Sequence, residues 1–205
     1  MIYAPEQFTV TDRDILFRLI RENGFATMIS SVSDEPMVAH VPVLSNEAGN
    51  LLHAHVARAN SIWRDFAPDR EVLFIFHGPH HYVSPSWYTV QPSVPTWNYA
   101  VVHVSGLPVI IEDRTQVESI LRELVNEHES GFETPWQMDL PVDYLRNMID
   151  GIVAFEVRIT RMQGKFKLSQ NRSHADHQNV VAALHEEDSD NATRLAALME
   201  QIRRE

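Results

Sequence analysis

Apolar residues recur along the chain with two periods. In residues 11–23, Ile15, Leu16, Leu19 and Ile20 form a helical stripe, with Thr11 in the capping position, Asp14 three residues on and Gly24 beyond the end. From Phe25 the pattern becomes that of strands, and β-rich runs follow at 25–32, 37–44, 51–56, 72–76, 82–88 and 99–111. The links are short and turn-like, as at Ser33-Asp34-Glu35-Pro36 and Asn46-Glu47-Ala48-Gly49-Asn50. Such spacing predicts antiparallel pairing, and several strands so joined close into a barrel or a sandwich. A small helix at 61–66 interrupts the series, with Asn60 as its cap. Helical spacing returns at 113–130, through Val117, Ile120, Leu121, Leu124 and Val125, and again near 141–150. Strands are expected at 152–160 and 165–169, with a hairpin turn at Gly164. The result is a mainly β fold with peripheral helices (α+β), in which residues 1–172 form the main domain with inserted helices at about 113–150. Residues 173–205, polar and acidic with an amphipathic stretch at 192–202, form a helical appendage.

Composition narrows the function. The chain has 205 residues, 44% apolar and 22% charged, which is enough for a real core. It has no cysteine, so a disulfide framework, a thiolate nucleophile and cysteine-ligated metal are excluded. The longest apolar runs are strand length, and the N-terminus lacks a basic region before an apolar stretch; the expectation is a soluble cytoplasmic protein. A net charge of −11 argues against a surface built for nucleic-acid phosphates. No helix-turn-helix with a basic recognition helix is visible, and the helix at 113–130 carries more acid than base.

Three clusters mix residues that a plain core would not need. In the first, a strand bearing His53 and His55 leads to Arg58 and to Asn60 at a helix start. Main-chain N–H groups and a guanidinium there suit an anion, the alternative being a solvated Arg58 and an Asn60 that is only a cap. The second runs from Tyr82 to His103 and holds Tyr82, Trp87, Tyr88, Trp97 and Tyr99. Amphipathic rings among small polar residues suit a flat ring ligand or a subunit interface, and the amide of Asn98 beside Trp97 suits recognition of a heteroaromatic edge. In the third, Lys165 and Lys167 are the only lysines in the chain. Strand alternation places Lys165, Lys167 and Ser169 on one face and Phe166 and Leu168 on the other, which reads as an anion contact or as a solvated strand face. The 11 histidines include the pairs His53/His55 and His80/His81, but no carboxylate joins either pair at ligand spacing, so no metal site is expected.

At these clusters the sequence resembles the PaiB family of FMN-binding negative transcriptional regulators, within the FMN-binding split-barrel fold. The likeness is carried by Tyr3-Ala4-Pro5 with Phe8, Phe25-Ala26-Thr27, His40-Val41-Pro42, residues 55–60 with Trp63, Ser84-Pro85-Ser86-Trp87-Tyr88, Pro95-Thr96-Trp97-Asn98-Tyr99 with His103, and residues 165–172. It implies a six-stranded antiparallel split barrel that forms a homodimer with FMN at the subunit interface. By that resemblance His55, Arg58 and Asn60 hold the flavin phosphate. The ring lies along His40 and Val41, approached by Trp97, Asn98, Lys167, Ser169 and Gln170. The oxidases of this fold carry a Ser-x-Lys pair where this chain has Arg58-x-Asn60. DNA is a partner by resemblance only. Two alternatives remain: a flavin-dependent oxidoreductase with Lys165 or Lys167 at the flavin's carbonyl edge, and a haem-binding split barrel.

Overall fold

The computed structural model describes residues 2–31 and 35–204. The turn expected at Ser33-Asp34-Glu35-Pro36 therefore lies partly outside the described residues. A two-residue strand, β1 (Thr9–Val10), precedes helix α1 (Arg13–Glu22), which buries Leu16, Phe17, Leu19 and Ile20 as its stripe requires. The helix is capped by Asp12, not Thr11. The Asp12 carboxylate accepts from the N–H groups of Asp14 at 2.9 Å and Ile15 at 3.2 Å, and its charge meets the positive end of the helix dipole.

Six longer strands follow: β2 (Phe25–Ser30), β3 (Met37–Ser45), β4 (Leu51–Ala57), β5 (Val72–Val83), β6 (Thr96–Ile110) and β7 (Ile152–Lys167). They stand in the order β1-β7-β4-β3-β2-β5-β6, and β6 also pairs with β7, so the six longer strands form a closed circuit of pairings. The resolved registers are antiparallel, as in Thr27↔His40 and Ala54↔Phe155. The mainly β, split-barrel expectation is met, with β1 as a seventh strand beside β7.

Two strand assignments differ from the expectation. The run 82–88 is no separate strand: its start completes β5, and Pro85–Trp87 form a 3-10 turn capped by Ser84. Gly164 makes no hairpin, because β7 passes straight through it. A Cβ at Gly164 would lie 2.2 Å from Leu16 Cδ2 and 3.1 Å from the Val10 carbonyl, so the missing side chain serves close packing rather than a turn.

The residues divide into two compact units. One comprises Ile20–Phe76 and Val104–Met162. Its core includes Met28, Leu52, Phe74, Phe76 and Phe155, and helices α2 (Arg114–Glu129) and α3 (Val142–Asp150) pack a smaller cluster of Ile111, Val117, Ile120, Leu145 and Ile149. The other comprises Met1–Leu19, His77–His103 and Gln163–Glu205. Here α4 (His174–Glu186) and α5 (Asp190–Arg204) bury Val180, Leu184, Leu195 and Met199, so the acidic tail is a packed helix pair.

Close backbone approach gives a test within the first unit. A Cβ at Gly106 would stand 2.5 Å from the Arg158 carbonyl oxygen and 2.6 Å from Val157 Cγ1. Main chain cannot step aside cheaply, so Gly106→Ala should cost about 2 kcal/mol and lower the thermal midpoint by roughly 5 °C. An unchanged melting curve would contradict this packing.

Candidate flavin site

The eleven residues singled out by sequence fall into two sets. His40, Val41, His55, Arg58 and Asn60 belong to the first unit. The Arg58 guanidinium is committed to main chain: Nε donates to the Asp150 carbonyl at 2.7 Å and Nη2 to that of Ile152 at 2.6 Å. It thus ties the last carbonyl of α3 to the first carbonyl of β7. The Asn60 side chain accepts from the Ile62 N–H at 3.0 Å and caps the 3-10 helix Ser61–Asp65. Both residues thus have structural work, although Arg58 still lines a cavity of about 350 Å³ with Trp63, Arg114, Asp150 and Ile152. His55 is half-buried on β4, its Nδ1 makes no hydrogen bond among the described residues, and burial holds its pKa below the ordinary value. Val41 is buried, whereas His40 is exposed, with Nδ1 3.2 Å from Thr27 Oγ1 and its ring 6.2 Å from that of Phe25.

Trp97, Asn98, Lys165, Lys167, Ser169 and Gln170 belong to the second unit. The end of β7 sends Phe166 and Leu168 into the core and leaves Lys165 and Lys167 partly exposed, as alternation predicts. Ser169 departs from it. Its φ of 62° takes the chain off the strand, and its buried hydroxyl accepts from Asn98 Nδ2 at 2.9 Å. The expectation that the Asn98 amide is open for edge recognition is met by an internal partner instead, because a fully buried amide has to be satisfied. Gln170 holds the same turn: Oε1 accepts from Leu168 N–H at 2.7 Å and Nε2 donates to the Phe166 carbonyl at 2.5 Å.

What remains outward is cationic and aromatic. Lys165 Nζ stands 5.4 Å from the ring centre of Tyr3 and 5.5 Å from that of Tyr99. Lys167 Nζ donates to Thr96 Oγ1. Arg172 lies 4.2 Å over the ring of Tyr88, whose buried hydroxyl has no partner among the described residues. Burial first, then the charges of Lys165 and Arg172, lower the Lys167 pKa. Trp97 is 53% exposed, with its ring 6.1 Å from Tyr82 and 6.3 Å from His80. No Asp, Glu, Lys or Arg occurs between His77 and His103, so nothing on this stretch neutralises the three cations. Sequence reasoning left Tyr3, Thr96 and Arg172 out of the site; the readable signal for Arg172 was an acid-free run shared with the lysines. Among the described residues no group of three or more His, Asp or Glu is placed to hold a metal ion.

A family model described as "Putative FMN-binding domain" matches residues 2–161. The chain belongs to this family. It is 34% identical over 202 residues to Protease synthase and sporulation protein PAI 2 of Bacillus subtilis (strain 168), covering 97% of both chains, in keeping with the PaiB resemblance. It is also 33% identical to an uncharacterized protein of Emericella nidulans, over 76% of this chain and 68% of that protein. Among solved structures, a flavocytochrome of Azotobacter vinelandii superposes with a TM-score of 0.67 at 13% identity, over 86% of this chain and 78% of the other. A FAD and heme binding protein of Mycobacterium smegmatis gives 0.63 at 15% identity, over 85% and 79%. At those identities the likeness to this FMN-binding family member is one of fold.

The titrating groups give a second test. His55 and His103 are held neutral by burial, with His77 adding to the effect at His103. Below about pH 6.5 the unfolded chain takes up protons that the folded chain resists, so stability falls with pH. Buried Asp176 is held as a carboxylate by hydrogen bonds: the Thr89 hydroxyl and N–H each donate to Oδ1 at 2.7 Å and, against the opposing effect of burial, depress its pKa. Its contribution is complete above about pH 4 and is lost as pH falls through the folded value. Urea midpoints should therefore decline in two stages on acidification, and Asp176→Asn should abolish the lower one. A midpoint constant from pH 7 to 3 would contradict both assignments.

Proposed function

We propose that the protein binds FMN through the cationic, aromatic surface of its second unit and acts as a flavin-dependent regulator, working as a homodimer. The observation that carries this reading is the grouping of Lys165 against Tyr3 and Tyr99, Lys167 on Thr96 and Arg172 over Tyr88, cations for which no ion pair occurs among the described residues, in a chain of an FMN-binding family. FMN offers a phosphate dianion and a planar ring, and this donor set fits both. Ammonium and guanidinium groups without counter-ions are compensated by an anion. The exposed Trp97 face supplies stacking area. Bound flavin supplies hydride or one-electron chemistry, and a chain without cysteine has no thiol to offer in its place. Ser169, Asn98 and Gln170 are positioning residues in this reading: their hydrogen bonds fix the turn that ends β7 and so aim the lysines.

Support for the regulatory half is the 34% identity to a protein named for protease synthase and sporulation, together with the PaiB resemblance. Direct contact with duplex DNA is disfavoured by the net charge of −11.

The cofactor claim is checked by titrating FMN and following its fluorescence. A charged contact of this kind is worth about 1.5–3 kcal/mol, so Lys167→Ala should weaken FMN roughly ten- to a hundredfold, with partial recovery in Lys167→Arg. Riboflavin, lacking the phosphate, should bind the parent more weakly. Unquenched FMN fluorescence, or equal affinity in Lys167→Ala, would sink the proposal.

A further inference from the structure

The inserted helices carry a second feature that flavin binding does not use. Five large apolar side chains are exposed there: Phe132 and Trp136 between α2 and α3, and Val142, Tyr144 and Met148 on α3 itself. They are not spare core. The insertion's own cluster is built from Val117, Ile120, Leu145 and Ile149, so α3 buries one apolar face and leaves a second in water. Tyr144 and Met148 stand four residues apart and share that second face. Aromatic residues and methionine in such numbers are enriched at protein interfaces and supply most of their hot spots.

The charge around these residues decides what covers them. Residues 112–150 hold ten carboxylates and three arginines, a net of −7 within a chain of −11. All three arginines are already paired: Arg114 with Asp150 at 2.5 Å, Arg122 with Glu118 at 2.7 Å and Arg146 with Asp143 at 3.4 Å. None of the other seven carboxylates has an ion pair among the described residues. A second copy would bring −7 against −7, and a nucleic acid or an anionic membrane would be repelled in the same way. We propose that the α2–α3 insertion is a docking surface for a cationic, amphipathic segment of another protein, its apolar side chains on Trp136, Tyr144 and Met148 and its basic ones over the surrounding carboxylates. This does not depend on flavin binding. It gives a regulator with an acidic surface a route of action through a protein rather than through DNA.

The probe is a short fluorescein-labelled peptide of leucine and lysine at helical spacing, titrated by anisotropy against the full-length protein. Saturable binding that weakens with added salt is expected. Trp136→Ser/Tyr144→Ser should lower affinity at least tenfold while melting and FMN titration match the parent. Met148→Lys, a change at a half-exposed position, should do the same if the double variant folds poorly. Glu127→Gln/Glu129→Gln/Glu133→Gln should flatten the salt dependence. The proposal is overturned if the parent does not bind, if both sets of apolar variants bind as the parent does, or if sedimentation shows that the face joins two copies of this chain.

Discussion

Much of what is distinctive here depends on one strand running uninterrupted for sixteen residues. β7 pairs with β4 along Ile152–Arg158 and with β1 at Gly164 and Lys165. It passes the crowded point beside Leu16 and Val10 without displacing either, because residue 164 has no side chain. From there alternation is forced: Phe166 and Leu168 turn in, Lys165 and Lys167 turn out. The strand ends at Lys167, and in the turn that follows the left-handed backbone of Ser169 is held by Asn98 and by the side chain of Gln170. Two lysines are thus presented by the packing of uncharged residues, and Arg172 stands close enough that its charge, with that of Lys165, adds to burial in lowering the Lys167 pKa.

The periodicities that define the fold were legible in the sequence, because they follow from which side chains have to avoid water. The stripe on α1, the inserted helices and the cap at Asn60 stand where the pattern put them. Glycine misled at position 164, since its tolerance of turns and its tolerance of close contact leave the same mark on a sequence. The site was legible in part. The lone lysine pair and the Trp97 cluster do share one unit. The roles of Arg58 and Asn98 were not readable, because each depends on a partner far along the chain: the Asp150 carbonyl for one, Ser169 for the other. Local spacing shows a polar group but not whether the fold has already satisfied it.

The distribution of charge links the two proposed surfaces. Lys165 and Arg172 meet aromatic rings, and residues 77–103 and 164–172 carry no acid, while residues 112–150 hold a net −7 of the chain's −11. One surface suits a small anion with a flat ring, the other a basic protein segment. On the two proposals together, the protein carries a flavin on one unit and presents a partner-binding face on the other.

The most direct test is a crystal structure of the protein grown with FMN. The account predicts flavin density in contact with Trp97 and with at least two of Lys165, Lys167 and Arg172. Flavin seated instead in the Arg58–Trp63–Arg114 cavity, with those three cations still facing solvent, would contradict it.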